Sequence, residues 1–150
     1  INWFPPIEAW AWHRRLLEEN EARYDHRVAQ RIRLGSKYAP QDVQRLHAER
    51  AGWIAQVHKA IAGYDAILMP TVPIVAPRTE ALLASDDAFW QANRLLLRNP
   101  SLVNLLDGCA LSLPCHRAGD LPVGLMIAAP AMADARVMAI GTAIEALLDS

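Results

Sequence analysis

The segment Tyr64-Asp65-Ala66-Ile67-Leu68-Met69-Pro70-Thr71-Val72-Pro73 marks the point at which the pattern of the chain changes. Upstream, from Pro40, the apolar residues Val43, Leu46, Ile54, Val57 and Ile61 recur three or four residues apart or at multiples of that spacing. This predicts a long amphipathic helix ending at Gly63. Asp65 to Met69 is instead a short apolar run closed by Pro70, the signature of a buried strand that feeds a loop. Pro70, Pro73 and Pro77 remove backbone donors and push their preceding residues away from helical geometry, so the loop 70–77 is expected to be extended and to border a cleft. Downstream, Ala110 to Cys115 and Pro122 to Ala129 read as two more strands with Gly119-Asp120 as the turn signal between them. Both are continuously apolar rather than alternating, which predicts cover on both faces.

The flanks read as helices. Pro5 and Pro6 suit a first helical turn, and Ile7, Trp10, Ala11 and Leu17 follow at about helical spacing, predicting a helix from about 6 to 20. A second helix over about Asp25 to Leu34 should bury Val28, Ala29 and Ile32, leave Arg27, Arg31 and Arg33 on a solvated face, and stop at a left-handed Gly35. Ser85 or Asp86 can cap a helix through about Leu97. Asp134 should cap a last one whose apolar face is Val137, Ile140, Ala143, Ile144 and Leu147. About three strands and five helices make an α/β architecture, a β-sheet covered by helices.

The chain has 150 residues, enough for one ordinary domain or one slice of a larger protein. With 53% apolar residues and a formal net charge of −1, it is neither a disordered tail nor a polyanion binder. Residues 1–60 sum to +3 and residues 61–150 to −4, and neither half is basic enough for a nucleic-acid partner. The most apolar stretch, Leu121 to Ala133, is interrupted by Pro122, Gly124 and Pro130, so no membrane-spanning helix is expected. The opening INWFPPIEAW lacks the features of a signal peptide, and two cysteines make no disulfide framework. A reducing, cytoplasmic setting is the expectation.

No metal centre is legible. Cys109, Cys115 and His116 lack the paired spacing that zinc requires, and adjacent strand residues point to opposite faces, which disfavours a Cys115–His116 thiolate pair. Buried, structural cysteines are expected. His47 and His58, eleven residues apart, lie roughly 16 Å apart along a helix and cannot share an ion. The phosphate-loop, dinucleotide, HExxH and GxSxG motifs are all missing. None of Ser36, Ser85, Ser101, Ser112 and Ser150 sits in a glycine-rich turn that could hold an oxyanion. Taken alone, the chain shows no complete catalytic apparatus.

The opening segment is extended by Asn104-Leu105-Leu106-Asp107-Gly108-Cys109-Ala110-Leu111-Ser112-Leu113-Pro114-Cys115 and by Leu121-Pro122-Val123-Gly124-Leu125. Together they resemble the C-terminal part of the amidase signature family, whose YD-x4-PT-x-P, N-x-x-G-x-P-x-x-S-x-P and G-L-P-V-G-L-Q segments come in this order. Arg31-Ile32-Arg33-Leu34-Gly35 is similar to that family's R-I-x-x-G helix end. The resemblance spans about residues 20 to 148. Asp107, Cys109, Asp120 and Met126 depart from residues common in the family (Gly, Pro, Gly and Gln), and the DGCALSLPC wording looks most like the carboxybiuret and allophanate hydrolases.

That resemblance implies the C-terminal part of the amidase signature fold, with a mixed β-sheet, and residues 1–150 as part of one amidase domain whose catalytic N-terminal part lies outside the chain. It implies hydrolysis of a linear carboxamide C–N bond by a serine, assisted by a lysine through a second serine in a cis peptide, with no metal or organic cofactor. No residue here is then a nucleophile or base. Substrate-binding roles fall on Arg31, whose planar fork suits a carboxylate, on Thr71 beside the acyl pocket, and on Arg98 and Asn99 as polar contacts. The expected partners are a small-molecule amide, the N-terminal portion and a second copy of the chain. The alternative is a non-catalytic interaction module on the same scaffold, with Trp3, Trp10, Trp12 and Trp53 as anchors.

Overall fold

The computed structural model describes residues 4–148. The chain divides into two compact units, Ile1–Ala51 and Gly52–Ser150, with helix α3 (Pro40–Ala60) running through the boundary. No residue of α3 is buried; its expected apolar positions Val43, Leu46, Ile54, Val57 and Ile61 are half-buried.

The first unit is built on α1 (Phe4–Asn20) and α2 (His26–Arg33). Asp25 caps α2 by accepting from the backbone amides of Arg27 at 2.8 Å and Val28 at 3.4 Å, which satisfies two of the donors that every helix start leaves open. Leu17, Ala29 and Ile32 form the buried core, with Ala9, Trp10 and Tyr24 packed against it. Two expectations fail here. Val28 is 51% exposed, whereas Arg27 is buried at 8%, because the Asp25 cap fixes the helix phase so that 27, 29 and 32 face inward. Gly35 is not left-handed: the chain continues as a 3-10 turn over Leu34–Lys37. A Cβ at Gly35 would strike the Pro6 carbonyl and come within 2.7 Å of Trp10 Cβ, so this glycine permits close approach to α1 rather than a reversal of the backbone.

The second unit holds a three-stranded sheet in the order β1-β3-β2, where β1 is Ile67–Pro70, β2 Cys109–Pro114 and β3 Gly124–Ala129. Both pairings are antiparallel, with Met69 and Ser112 both opposite Met126. The central strand is covered on both faces: Met126, Ile127, Ala128 and Ala129 are all buried. On one face Ile127, Ala129 and Leu113 pack on Val137 of α6 (Asp134–Leu148). On the other, Met126 and Ala128 pack on Val103 of α5 (Asp86–Leu106), with Ile67 and Met69 against them. β2 alternates instead: Cys109, Leu111 and Leu113 turn inward, and Ala110, Ser112 and Pro114 are exposed. A strand at a sheet edge needs cover on one face only, so its continuous apolar run misled. Ala143 and Leu147 of α6 are likewise exposed, leaving Val137 buried and Ile140 and Ile144 packed against the core.

Ser85 caps α5 by accepting from the Ala88 amide at 3.2 Å. The helix then passes Leu97 and runs through Pro100 to Leu106. A short α4 (Thr79–Ala84) precedes it, so six helices accompany the three strands among the described residues. The loop after β1 bends over 71–74 instead of running straight. The expected turn at Gly119-Asp120 is present, with Gly119 at φ 91° and the Asp120 amide donating to the Arg117 carbonyl at 3.1 Å. Of the tryptophans, Trp3 lies outside the described residues, Trp10 lies against the first core, Trp53 is half-buried and Trp12 is 83% exposed.

Candidate functional site

Three of the four residues singled out for substrate contact converge where β1 ends. Pro70 closes that strand and, lacking an N–H, offers only its carbonyl, which accepts from Asn99 Nδ2 at 2.7 Å. Thr71 extends the ladder by one step, its amide donating to the Gly124 carbonyl at 2.8 Å. Its hydroxyl meets the Ser112 hydroxyl of β2 at 2.5 Å. The pairing spans β3, and it is possible because Gly124 has no side chain between them. A Cβ there would lie 2.5 Å from Ser112 Oγ and 2.6 Å from Thr71 Oγ1.

Asn99 sits on α5 one residue before Pro100 and is buried at 6%. Its amide is satisfied at both ends: Nδ2 donates to Pro70, and Oδ1 accepts from Arg98 Nε at 3.2 Å. Asn99 is therefore walled in beneath the strand end, with both ends of its amide engaged. Arg98 itself is exposed. Arg31 belongs to the first unit, on α2, where it is half-buried and engaged with other residues. Nearby on that helix, Arg33 pairs with Glu21; this hydrogen bond lowers the Glu21 carboxyl below its ordinary 4.5 and raises the Arg33 guanidinium.

Beside the strand ends lies an open depression of about 490 Å³ bounded by Val75 and the hairpin loop from Cys115 to Val123. A second, of about 290 Å³, is lined by Met69, Pro70, Gly124 and Leu125 among others, and Cys115 borders both. The cysteines are not the buried pair expected: Cys109 is half-buried, its thiol directed at the Pro130 carbonyl at 3.5 Å, and Cys115 is exposed. Cys115 lies one residue beyond β2, where the sheet no longer shields it. Among the described residues no group of three or more His, Cys, Asp or Glu side chains could hold a metal ion. Among the same residues no helix is long and apolar enough to cross a membrane.

Ser112 and Gly124 were not singled out for a site role. The period-two placement of Ser112 with Ala110 and Pro114 put its hydroxyl on one face, but only the pairing of β2 with β3 reveals what that face meets.

The amidase family model matches residues 10–138. The chain is 33% identical over 129 residues to 2-amino-5-chloromuconic acid deaminase of Comamonas testosteroni, covering 84% of this chain and 27% of that protein. It is 39% identical over 84 residues to a glutamyl-tRNA(Gln) amidotransferase subunit of Salinispora tropica, covering 56% and 16%. Among solved structures, one described as an amidase superposes with a TM-score of 0.76 at 27% identity, over 94% of this chain and 33% of that one. A Kluyveromyces lactis allophanate hydrolase variant matches with a TM-score of 0.74 at 22% identity, over 89% and 24%, a likeness of fold. The chain thus spans about a quarter or less of the curated relatives named here. With the family model covering most of its length, and the Thr71, Asn99, Ser112 and Gly124 cluster inside the matched span, the chain belongs to the amidase family.

Proposed function

We propose that this chain is the C-terminal portion of an amidase domain that hydrolyses a carboxamide C–N bond, with the attacking group supplied by residues outside it. The observation that carries the reading is the family match over residues 10–138. Further support comes from the open edges of the sheet: β1 and β2 each pair on one side only among the described residues. Strand edges of this kind accept further strands.

Three of the described serine hydroxyls are engaged in hydrogen bonds. Ser36 donates to the Arg33 carbonyl, Ser85 caps α5 and Ser112 pairs with Thr71. The proposed reaction begins with a serine elsewhere in the domain, deprotonated through a second serine and a lysine. Its oxygen adds to the amide carbonyl carbon; the C–N bond breaks as the nitrogen takes a proton and leaves as ammonia or an amine. Water then adds to the acyl carbon and frees the acid and the serine. The part of this chain is to bind and enclose. Within the second unit, Thr71 and the loop after it border the acyl group and Arg98 offers a polar contact; within the first, Arg31 suits a substrate carboxylate.

Labelling the complete amidase with a fluorophosphonate and locating the adduct by mass spectrometry tests this assignment. The adduct is expected on a serine outside residues 1–150. An adduct on any of the five serines of residues 1–150 would overturn it.

A further inference from the structure

We propose that Asn99 is a positioning residue that holds Thr71 and Arg98 in one fixed relation, so that Arg98 meets a substrate anion end-on through its two terminal nitrogens. The inference rests on the amidase reading and gives Arg98 an anion contact.

The chemistry of the amide fixes its orientation. The Pro70 carbonyl can only accept, so it must face Asn99 Nδ2. Oδ1 is then committed to the other side, where it accepts from Arg98 Nε. One buried side chain thereby ties the residue preceding Thr71 to the base of the Arg98 guanidinium. The far side of Thr71 is held independently, through its amide to Gly124 and its hydroxyl to Ser112. With Nε occupied, the side-on approach that would use Nε with one Nη is closed, and the remaining bidentate geometry is the Nη1/Nη2 fork. Among the described residues no carboxylate pairs with that fork. A guanidinium pinned at its base loses less rotamer freedom when it binds, which favours a planar anion over a neutral amide group of the same size.

The test has two arms. In the chain itself, ¹⁵N-resolved NMR follows the Arg98 Nε–H during titration with succinamate and with succinamide. A resolved, slowly exchanging resonance is expected, shifting saturably with succinamate alone. Asn99→Ala should bring it into fast exchange with water and weaken succinamate binding about fivefold, the size expected when a freed side chain must be ordered on binding. Arg98→Ala, followed through the backbone amides of Thr71 and Gly124, should abolish the preference for the anion. Equal shifts with both ligands, or an unchanged resonance in Asn99→Ala, would overturn the inference.

In the complete amidase, Asn99→Ala should raise KM for the acidic amide more than for the neutral one, and should add no acid-specific loss once Arg98→Ala is present. Equal losses for both substrates, or additive ones, would mark a purely structural asparagine. If the fluorophosphonate adduct falls within residues 1–150, the amidase reading fails, and the NMR titration still decides the role of Asn99.

Discussion

The hydroxyl of Thr71, one residue beyond β1, lies 2.5 Å from the hydroxyl of Ser112 in β2, although β3 separates the two strands. This pair, 41 residues apart in sequence, crosses the central strand at the one position where that strand carries no side chain. The bend that carries the chain from the sheet into the loop 71–77 is thus fixed from the sheet side by Ser112 and Gly124, and from the helix side by Asn99.

The first prediction concerns that gap. Gly124→Ala forces one or both hydroxyls to rotate away, breaking their bond, and should destabilise the chain by about 1–3 kcal/mol, the usual cost of overpacking. Gly52→Ala is the control: nothing lies within 4 Å of its added Cβ on α3, and it should stabilise by roughly 0.5–1 kcal/mol through helix propensity. Urea denaturation of the two variants reads both signs. A neutral Gly124→Ala would show that the cleft wall yields.

A second prediction uses backbone conformation. Met132 has φ 65° in the turn before α6 and is 93% exposed. A left-handed residue with a Cβ costs about 1–2 kcal/mol, partly offset by the greater freedom of glycine in the unfolded chain. Met132→Gly should therefore stabilise by about 0.5–1 kcal/mol, whereas Met132→Ala keeps the Cβ and should change little. Thermal melts of the pair check the difference.

The third concerns pH. Glu21 titrates below its ordinary 4.5 because Arg33 hydrogen-bonds its carboxylate. A depressed folded-state pKa stabilises the fold in full above 4.5 and loses that contribution as the pH falls through the lowered value. Glu21→Gln should flatten this part of the acid limb of the stability curve and leave the limb above pH 6 unchanged in slope. The pair is exposed at 57% and 46%, so added salt should shrink the effect. Denaturant midpoints measured at pH 3 and pH 7, at low and high salt, give the comparison.

Much of this architecture was legible because its signals are local. The Pro70 stop, the Gly119-Asp120 turn and the Ser85 cap each depend on residues within one turn of chain. α5 outlasted its expected end because Pro100 lies in a helix already held by Ala92, Val103 and Leu106 in the core, which outweighs the one backbone bond a proline removes. Arg27 and Val28 exchanged their expected environments because a single residue of phase in a short helix decides which side faces inward. At the site, Thr71 stood out through its motif, and Arg98 and Asn99 through their place in the family resemblance. The burial of Asn99 and its part in holding Arg98 did not, because the other end of its amide meets a carbonyl 29 residues away. Ser112 escaped for the same reason: its partner is set by strand register, which no window of sequence contains.

The decisive measurement is ammonia release from simple carboxamides by three samples: this chain, the N-terminal portion of the same amidase, and the two mixed. No release is expected from the chain alone, with release restored on mixing. Hydrolysis by the 150-residue chain unaided would contradict the placement of the attacking group outside it, and continued silence of both the mixture and the intact polypeptide would contradict the amidase function itself.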